Sequence, residues 1–191
     1  MATFLKRYII KIPKDICILY CNKKKLLTLT GPLGQKSLKV KLKILISKPE
    51  NFLIITQIPY HQISSNEKKK LKSVQGTTIA LIKQMILEVS FLFSKKLVFI
   101  GVGYKAFSIE LFKTHILQFK LGYSHQIYFK VLSNLNVYCH KTTIIYISGN
   151  SNQNVNQTAA LIRSYKYPEP YKGKGILYDD EKIIFKEGKK V

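Results

Sequence analysis

The chain has no tryptophan, only three cysteines and few acidic residues. Asp and Glu together number 10 against 32 Lys and Arg, which gives a net charge of +22 over 191 residues. So large an excess of one sign indicates an anionic partner, either nucleic acid or a membrane surface. The excess is positive in each of the segments 1–66, 67–96, 97–164 and 165–191. It therefore belongs to the whole protein and not to one basic tail.

Long uncharged apolar runs are also missing. The longest apolar stretch, residues 78–93, is interrupted by Lys83 and Glu88, and a membrane-spanning helix needs about 18 or more consecutive apolar residues. We therefore expect no membrane span. Hydrophobic residues still make up 46% of the chain, which is enough for a folded core in one or two small domains.

The cysteines and histidines do not form a metal-site pattern. Cys17, Cys21 and Cys139 are odd in number and lack the paired C-x-x-C spacing of a zinc site. Buried free thiols in a reducing compartment are the expected state. His115 and His125 have no neighbouring carboxylate and no patterned nucleophile. The sequence thus predicts no metal, no active site and no small-molecule substrate.

One glycine motif resembles that of a dinucleotide-binding site, but the residues around it do not fit such a site. Gly101-Val102-Gly103-Tyr104-Lys105-Ala106 matches G-x-G-x-x-A, but a dinucleotide site requires the motif to open a helix, with an acid about twenty residues on. Here the sequence continues like a strand, and Lys120 and Leu121 stand where the acid should be. We predict no cofactor, and we expect these glycines to bend or bulge a strand.

The order of predicted elements repeats. Several short strands are followed by a helix in residues 1–94, and the same order returns in 95–167. This pattern predicts an α+β fold of two related domains, each a small antiparallel β-sheet packed on a helix. Residues 168–191 are predicted to form a basic C-terminal extension. Similar glycine-containing turns stand in the same place in both halves, at 30–34 and 121–125.

The individual elements follow from hydrophobic periodicity. The first helix is predicted from Lys68 to Phe93 and is closed by Ser94-Lys95-Lys96, and the second runs from Asn152 to Tyr165 after a capping sequence. Their buried positions are expected to be Ile79, Ile82, Ile86, Val89, Phe93, Val155, Ala159 and Ile162. Strands are predicted at 16–21, 26–30, 37–46, 52–56, 97–107, 116–121, 127–131, 137–140 and 144–148.

The most informative segment comes directly after the second helix. Pro168 and Pro170 prevent that helix from continuing, and three tyrosines and three lysines then mix with two glycines between residues 165 and 176. Lysines attract phosphates, tyrosines offer flat faces to bases, and glycines allow close approach of the backbone. The segment is therefore predicted to be an RNA-binding loop.

Taken in order, several blocks resemble the large-subunit ribosomal protein six family. They are Gly101–Ala106, Leu121–His125, Ala160–Arg163, Pro168–Gly175 and the tail beginning at Tyr178. The sequence P-E-P-Y-K-G-K-G matches the family's signature, and the resemblance covers about residues 70–191. Gln126 stands where the family usually has a proline.

The resemblance implies a structural role on the ribosome. The second domain and its extension are expected to bind the 3′-terminal region of the large-subunit rRNA near the sarcin–ricin loop and stalk base. The expected partners are this rRNA and neighbouring large-subunit ribosomal proteins at the stalk base. The candidate RNA-binding residues are Lys95, Lys96, Tyr104, Lys105, Tyr123, Ser124, His125, Arg163, Lys166, Tyr171, Lys172, Gly173, Lys174 and Gly175.

Codon composition indicates the compartment. Arginine occurs only at Arg7 and Arg163, whereas 30 residues are lysine, and Asn, Ile, Phe and Tyr are abundant. These residues are encoded by A/T-rich codons, typical of an organellar genome. We therefore predict a mitochondrial large-subunit ribosomal protein, with the plastid as second choice. An off-ribosome organellar RNA-binding assembly or regulatory factor is the alternative, and a nuclease ranks third.

Overall fold

The computed structural model describes residues 9–42, 44–47, 51–55, 64–111 and 114–188. The chain divides into two compact units between Phe91 and Leu92, and each unit has its own hydrophobic core. Among the described residues, both units combine small antiparallel sheets with one helix. The predicted α+β class is therefore confirmed, while the division of 168–191 as a separate extension stays a prediction.

Unit 1 contains two three-stranded sheets and a long helix. In one sheet the order is β1-β6-β5, and in the other it is β2-β3-β4, with all pairs antiparallel. The helix α1 contacts β3 and β4. The elements are β1 (Ile9–Lys11), β2 (Cys17–Cys21), β3 (Leu26–Gly31), β4 (Gly34–Lys39), β5 (Ile44–Ser47), β6 (Phe52–Ile55) and α1 (Ser65–Ser90).

Helix α1 begins with a reciprocal cap. The hydroxyl of Ser64 accepts a hydrogen bond from the backbone N–H of Glu67 (3.4 Å), and the Glu67 carboxylate accepts one from the backbone N–H of Ser64 (3.2 Å). This capping box satisfies two helix-end donors and fixes the start of the helix. Further along, Ile79, Ile82, Ile86 and Val89 are buried as predicted.

Unit 2 has the same kinds of element and one more described strand. Its sheets have the orders β11-β12-β7-β13 and β10-β9-β8, again antiparallel. Val155, Ala159 and Ile162 on α2 are fully buried, as predicted, and α2 contacts β7, β12 and β13. The elements are β7 (Phe93–Ile100), β8 (Lys105–Leu111), β9 (Thr114–Lys120), β10 (Ile127–Lys130), β11 (Leu135–Lys141), β12 (Ile144–Gly149), α2 (Asn152–Ser164) and β13 (Gly175–Tyr178).

The predicted end of α1 is wrong. The periodicity predicts that the helix reaches Phe93 and is closed by Ser94-Lys95-Lys96, but Phe91 is extended (φ −127°) and β7 starts at Phe93. Phe93 fits the helical spacing of the buried stripe, but its backbone pairs with Gly149 of β12. Pairing across the sheet therefore overrides the helical periodicity at this position.

Two predicted strands are each interrupted. The predicted strand 37–46 is divided into β4, which ends at Lys39, and β5, which begins at Ile44, and the last bond of β4 to its neighbour runs from the Val40 N–H to the Lys25 carbonyl at 2.8 Å. The predicted strand 97–107 breaks at a turn in which Gly101 and Gly103 have φ of +155° and +77°. Such values suit glycine, so the motif bends the chain and does not open a helix. Thr56, the predicted end of β6, lies outside the described residues.

The two units share one strand plan. In each, the first strand pairs with the last strand before the helix, that strand pairs with the one preceding it, and the three strands between them form a separate meander. The similar turns predicted in both halves link corresponding strands, β3 to β4 and β9 to β10. The prediction of two related domains is therefore confirmed by the pairing order as well as by the elements.

Candidate nucleic-acid interface

The loop between α2 and β13 is closed by its own backbone. The Gly173 N–H donates to the Glu169 carbonyl and the Glu169 N–H donates to the Lys174 carbonyl, both at 2.9 Å. The Lys186 N–H from the subsequent tail bonds the Pro170 carbonyl at 3.0 Å. Tyr171 and Lys172 remain exposed at the tip of the loop. The backbone is thus fixed while the tip side chains face solvent.

The two loop glycines have a different role from the predicted one. Both are buried, and a Cβ on Gly175 would lie 2.6 Å from the Pro168 Cα, while one on Gly173 would lie 2.9 Å from the Phe185 ring. Gly173 also has φ +69°. Their close approach is therefore to protein, and they shape the loop that carries Lys172 and Lys174.

The turn between β9 and β10 meets the end of α2 through an aromatic cluster. The Tyr123 ring stacks on His125 with centroids 5.8 Å apart, and the Lys166 ammonium lies 4.5 Å from the Tyr123 ring centroid. The Tyr123 hydroxyl donates to the Tyr165 carbonyl at 3.0 Å. Ser124 is exposed beside them. The structure thus brings Tyr123, Ser124 and His125 together with Lys166, which lies on a distant part of the sequence.

Arg163 faces inward and is held by protein groups. Its guanidinium donates two hydrogen bonds to the Glu181 carboxylate, one of them from Nε at 3.1 Å. The same guanidinium lies over two rings, 5.3 Å from the Tyr167 centroid and 5.4 Å from the Tyr178 centroid. A bidentate pair flanked by two rings is a strong anchor. Arg163 therefore ties α2 to the segment after β13.

The two lysines of β7 differ in their surroundings. The Lys96 ammonium forms an ion pair with Asp179 at 2.6 Å, and this hydrogen bond raises the pKa of Lys96. Lys95 is exposed, and its ammonium lies 5.9 Å from the Tyr178 ring centroid. Asp179 and Asp180 line the same groove as the two lysines, which has a volume of about 310 Å³. Lys95 is therefore the better placed of the two to meet a phosphate.

Tyr104 belongs to the core of unit 2. It is 9% exposed, and a Cβ on Gly101 or Gly122 would lie 2.8 Å or 3.2 Å from its ring. A ring covered in this way cannot stack on a base, so the predicted RNA contact at Tyr104 does not fit the structure. The glycines on either side of it in space make room for the ring. Lys105, the next residue, is exposed.

The cysteine prediction is partly wrong. Cys17 and Cys21 lie on one side of β2, and both are exposed instead of buried. Cys139 is half-buried, and that burial raises the pKa of its thiol. Within the described ranges, no group of three or more His, Cys, Asp or Glu residues could hold a metal ion, and no helix there is long and apolar enough to cross a membrane.

Comparison with known proteins identifies the family. The family model described as Ribosomal protein L6 matches residues 100–179. The large ribosomal subunit protein uL6 of Mycoplasmoides gallisepticum is 39% identical over 183 residues, covering 95% of this chain and 93% of that protein. The chain belongs to the ribosomal protein L6 family. This confirms the resemblance drawn from the sequence blocks.

Two other L6 relatives have comparable similarity. The large ribosomal subunit protein uL6m of Reclinomonas americana is 40% identical over 183 residues, 95% of each chain. The uL6 protein of Mycoplasma pneumoniae is 44% identical over 161 residues, covering 83% of this chain and 82% of that protein. The relatives compared are ribosomal proteins, so membership of the L6 family also confirms that the chain is not an enzyme.

The L6 family match spans the part of the chain that holds the described cluster. Its limits, 100 and 179, include the β9–β10 turn, α2, the loop and β13. Sequence reasoning missed the role of Glu181, because its partner Arg163 is 18 residues away and on another element. It also did not reveal that strand register places Lys120 opposite Lys105 and puts Tyr128 in one row with Phe107 and Gln118.

Proposed function

We propose that this protein is a structural constituent of the large subunit of a mitochondrial ribosome. The observation that carries the proposal is the similarity along nearly the whole chain to proteins named as large ribosomal subunit proteins, one of them the uL6m protein of Reclinomonas americana. The lysine-rich, A/T-codon composition of the chain adds support for an organellar genome.

The proposed RNA contact is the 3′-terminal region of the large-subunit rRNA, near the sarcin–ricin loop and the stalk base. Unit 2 supplies the contact through the exposed tip of the loop and the aromatic cluster at the end of α2. The lysine side chains attract phosphates, and the exposed rings of Tyr171 and Tyr123 can stack on bases. Neighbouring large-subunit ribosomal proteins at the stalk base are the other proposed partners.

The proposed set of RNA-contacting residues is smaller than the candidate set predicted from the sequence. It keeps the side chains that are exposed or half-exposed and leaves out the two glycines, which shape the loop. Tyr104 is left out because it is buried, and Arg163 and Lys96 because Glu181 and Asp179 bind them. The proposed RNA-contacting side chains are Lys95, Lys105, Tyr123, Ser124, His125, Lys166, Tyr171, Lys172 and Lys174.

The loop is tested by removing its charge. The Lys172→Ala/Lys174→Ala variant loses two phosphate contacts, so the slope of log affinity against log salt should flatten by about 1.4 for irregular RNA. The measurement uses the full chain and a transcript of the 3′-terminal region of the large-subunit rRNA. The matched control is Lys69→Ala/Lys70→Ala, which removes two exposed lysines from the first turns of α1. A larger effect from the control would place the RNA surface on unit 1.

Assembly and compartment need separate measurements. The endogenous protein should sediment with the large subunit in high salt, and with mitochondria when organelles are separated. Sedimentation away from ribosomal subunits, with RNA binding intact, would favour an off-ribosome RNA-binding factor. Recovery with plastids or with a bacterial-type cytosolic ribosome would leave the structural role in place and overturn the compartment.

A further inference from the structure

The outer face of the β8-β9-β10 sheet carries a group of basic and aromatic side chains, of which only Lys105 belongs to the set of RNA-contacting residues proposed above. Strand register places Lys105 opposite Lys120, and it places Phe107, Gln118 and Tyr128 in one row across the three strands. The alternate residues Ala106, Leu117 and Phe119 are buried in the core of unit 2. The first group therefore points away from the core because side chains alternate along a strand. We call Lys105, Phe107, Gln118, Lys120, Tyr128 and Lys130 the outer face.

The outward positions hold three lysines and no acid among the described residues of these strands. Glu110 lies at an alternate position, on the side of Ala106, and its carboxylate is 3.5 Å from His115. Lys105 and Lys120 are direct cross-strand partners, and like charges in that position destabilise a sheet. An anion bound between the two lysines removes that repulsion. This arrangement favours an anionic ligand.

Of the two rings on the outer face, Phe107 is half-buried, whereas Tyr128 is exposed and held in place. Tyr128 is 60% exposed, and its hydroxyl donates to Gln126 at 2.9 Å and lies 3.4 Å from the Gln118 amide nitrogen. The Gln118 amide also bonds Gln126. This three-membered network orients the tyrosine before any ligand arrives, which reduces the entropy lost on binding. The Lys120 ammonium lies 5.9 Å from the Phe107 ring centroid.

We propose that the outer face binds an unpaired segment of RNA, a contact separate from the loop and resting on the proposed ribosomal function. Bases stack on Tyr128 and on Phe107, which lie two strand spacings or about 10 Å apart, and phosphates lie against Lys105, Lys120 and Lys130. A nucleotide chain carries both charge and flat rings, and the register places the lysine pair directly beside the row that holds the two rings. An acidic peptide would match the lysines but not the exposed ring of Tyr128.

The corresponding face of unit 1 provides an internal contrast. The meander β2-β3-β4 has the same strand plan, but its outward positions are almost all uncharged, with one lysine, Lys39, at a corner. The outward residues of that face are Cys17, Leu19, Cys21, Leu26, Thr28, Thr30, Gln35, Ser37 and Lys39. The same framework thus carries a basic aromatic face in one unit only.

The absence of tryptophan from the chain allows a direct test of stacking. In the full-length Tyr128→Trp variant, a short oligouridylate should quench the single tryptophan, because a base that stacks on an indole quenches its emission. The matched control is Tyr138→Trp on β11, where the native tyrosine is 66% exposed; oligouridylate should leave its emission unchanged. Equal quenching in both variants, or quenching by polyglutamate at the same charge concentration, would overturn the proposal.

Charge on the outer face is tested in the same system. Lys105→Ala/Lys120→Ala should flatten the salt slope for oligouridylate by about 1.4, whereas Lys23→Ala/Lys24→Ala in the exposed β2–β3 turn should not. Because the first pair repel each other, the first variant should melt no lower than the wild type. A flattened slope only for Lys172→Ala/Lys174→Ala would overturn this face and keep the proposed function. If the affinity of the wild-type protein for oligouridylate does not change with salt, the charge-based RNA contact itself is overturned.

Discussion

The two units have the same strand plan but differ in the chain segment after the helix. Among the strands that the structure describes, β1 of unit 1 pairs with β6 alone, whereas in unit 2 the equivalent strand β7 pairs with β12 on one side and with β13 on the other. The chain after α2 thus adds a strand and, before it, the loop with Tyr171 and Lys172. The framework is shared, and the loop with its candidate RNA-binding side chains is an addition to it. This agrees with the general observation that function resides in sites placed on a fold.

A second comparison concerns the turn that meets each helix. In unit 1 the Leu33 N–H bonds the Val89 carbonyl near the end of α1 at 3.1 Å. In unit 2 the corresponding turn reaches the end of α2 through the side chain of Tyr123, whose hydroxyl bonds the Tyr165 carbonyl at 3.0 Å. A backbone contact has become a side-chain contact in unit 2. The exchange leaves an aromatic ring at the surface, where Lys166 and His125 contact it.

The largest loss of stability is expected from replacing Gly175, the glycine at the start of β13, by alanine. Gly175 and Gly34 have similar backbone conformations, with φ of +153° and +135°, but a Cβ at Gly34 would contact nothing within 4 Å. Both alanine variants should therefore share the same conformational strain, roughly 1–3 kcal/mol. Gly175→Ala should lose about a further 1–3 kcal/mol because its Cβ collides with the Pro168 backbone.

The Gly175 effect is measured by denaturant unfolding of both variants and by hydrogen exchange at the Ile176 amide. That amide bonds the Lys166 carbonyl at 2.9 Å, so it reports on the start of β13. Gly175→Ala should speed its exchange and Gly34→Ala should not. If Gly34→Ala is equally destabilising, the tight packing of β13 is not the feature that distinguishes unit 2.

A smaller loss of stability is expected from Arg163→Lys. The change keeps the charge but loses the two-pronged bond to Glu181, so unit 2 should lose about 1–2 kcal/mol, limited because both side chains are about a quarter exposed. Thermal unfolding measures the loss, and the salt slope of RNA binding should be unchanged. Intact stability combined with weak RNA binding would instead make Arg163 an RNA contact, as the sequence alone indicates.

The smallest effect concerns the thiols and leaves stability unchanged. Burial raises the pKa of Cys139, an effect partly offset by its hydrogen bond with Ser108, and the thiolate is the reactive form. At a pH of about 8, near the ordinary thiol pKa, iodoacetamide should therefore modify the exposed Cys17 and Cys21 before Cys139. Labelling of Cys139 should rise only at more alkaline pH. Site-resolved mass spectrometry measures the rates, with the urea-unfolded chain as control, and equally fast labelling of all three thiols would contradict the burial.

The sequence predicted well those features that depend on short-range periodicity. The buried positions of both helices follow from apolar residues spaced three or four apart. The strands that the matching turns connect follow from a spacing of two. The start of α1 was predicted at Lys68, whereas the helix begins at Ser65 with the capping box of Ser64 and Glu67, because the prediction relied on the apolar stripe, which starts further along the chain. The end of α1 was not readable, since Phe93 fits both a helical stripe and a strand until its partner Gly149 is known.

The candidate interface, likewise, was predictable only where neighbouring residues in the sequence determine it. The loop composition revealed Tyr171 and Lys172 as exposed groups, but nothing local shows that Arg163 is bound by Glu181 or that Tyr104 is buried between two glycine turns. The outer face depends on register between strands, which places Lys120 beside Lys105 of β8 and Tyr128 beside Gln118 of β9. Contacts between distant segments therefore account for most of the features that the sequence did not reveal.

The pairing of β7 with β13 has a consequence for how the protein folds during synthesis. Leu97 pairs with Tyr178, whereas in unit 1 Ile10 pairs with Leu53. Contacts between residues far apart in sequence form slowly because a long loop must close first. Unit 1 can therefore close while much of unit 2 is still being translated, and β7 has one unpaired edge until the last strand emerges. An unpaired edge is prone to associate with other strands, so the nascent chain is most vulnerable to aggregation just before β13 leaves the ribosome.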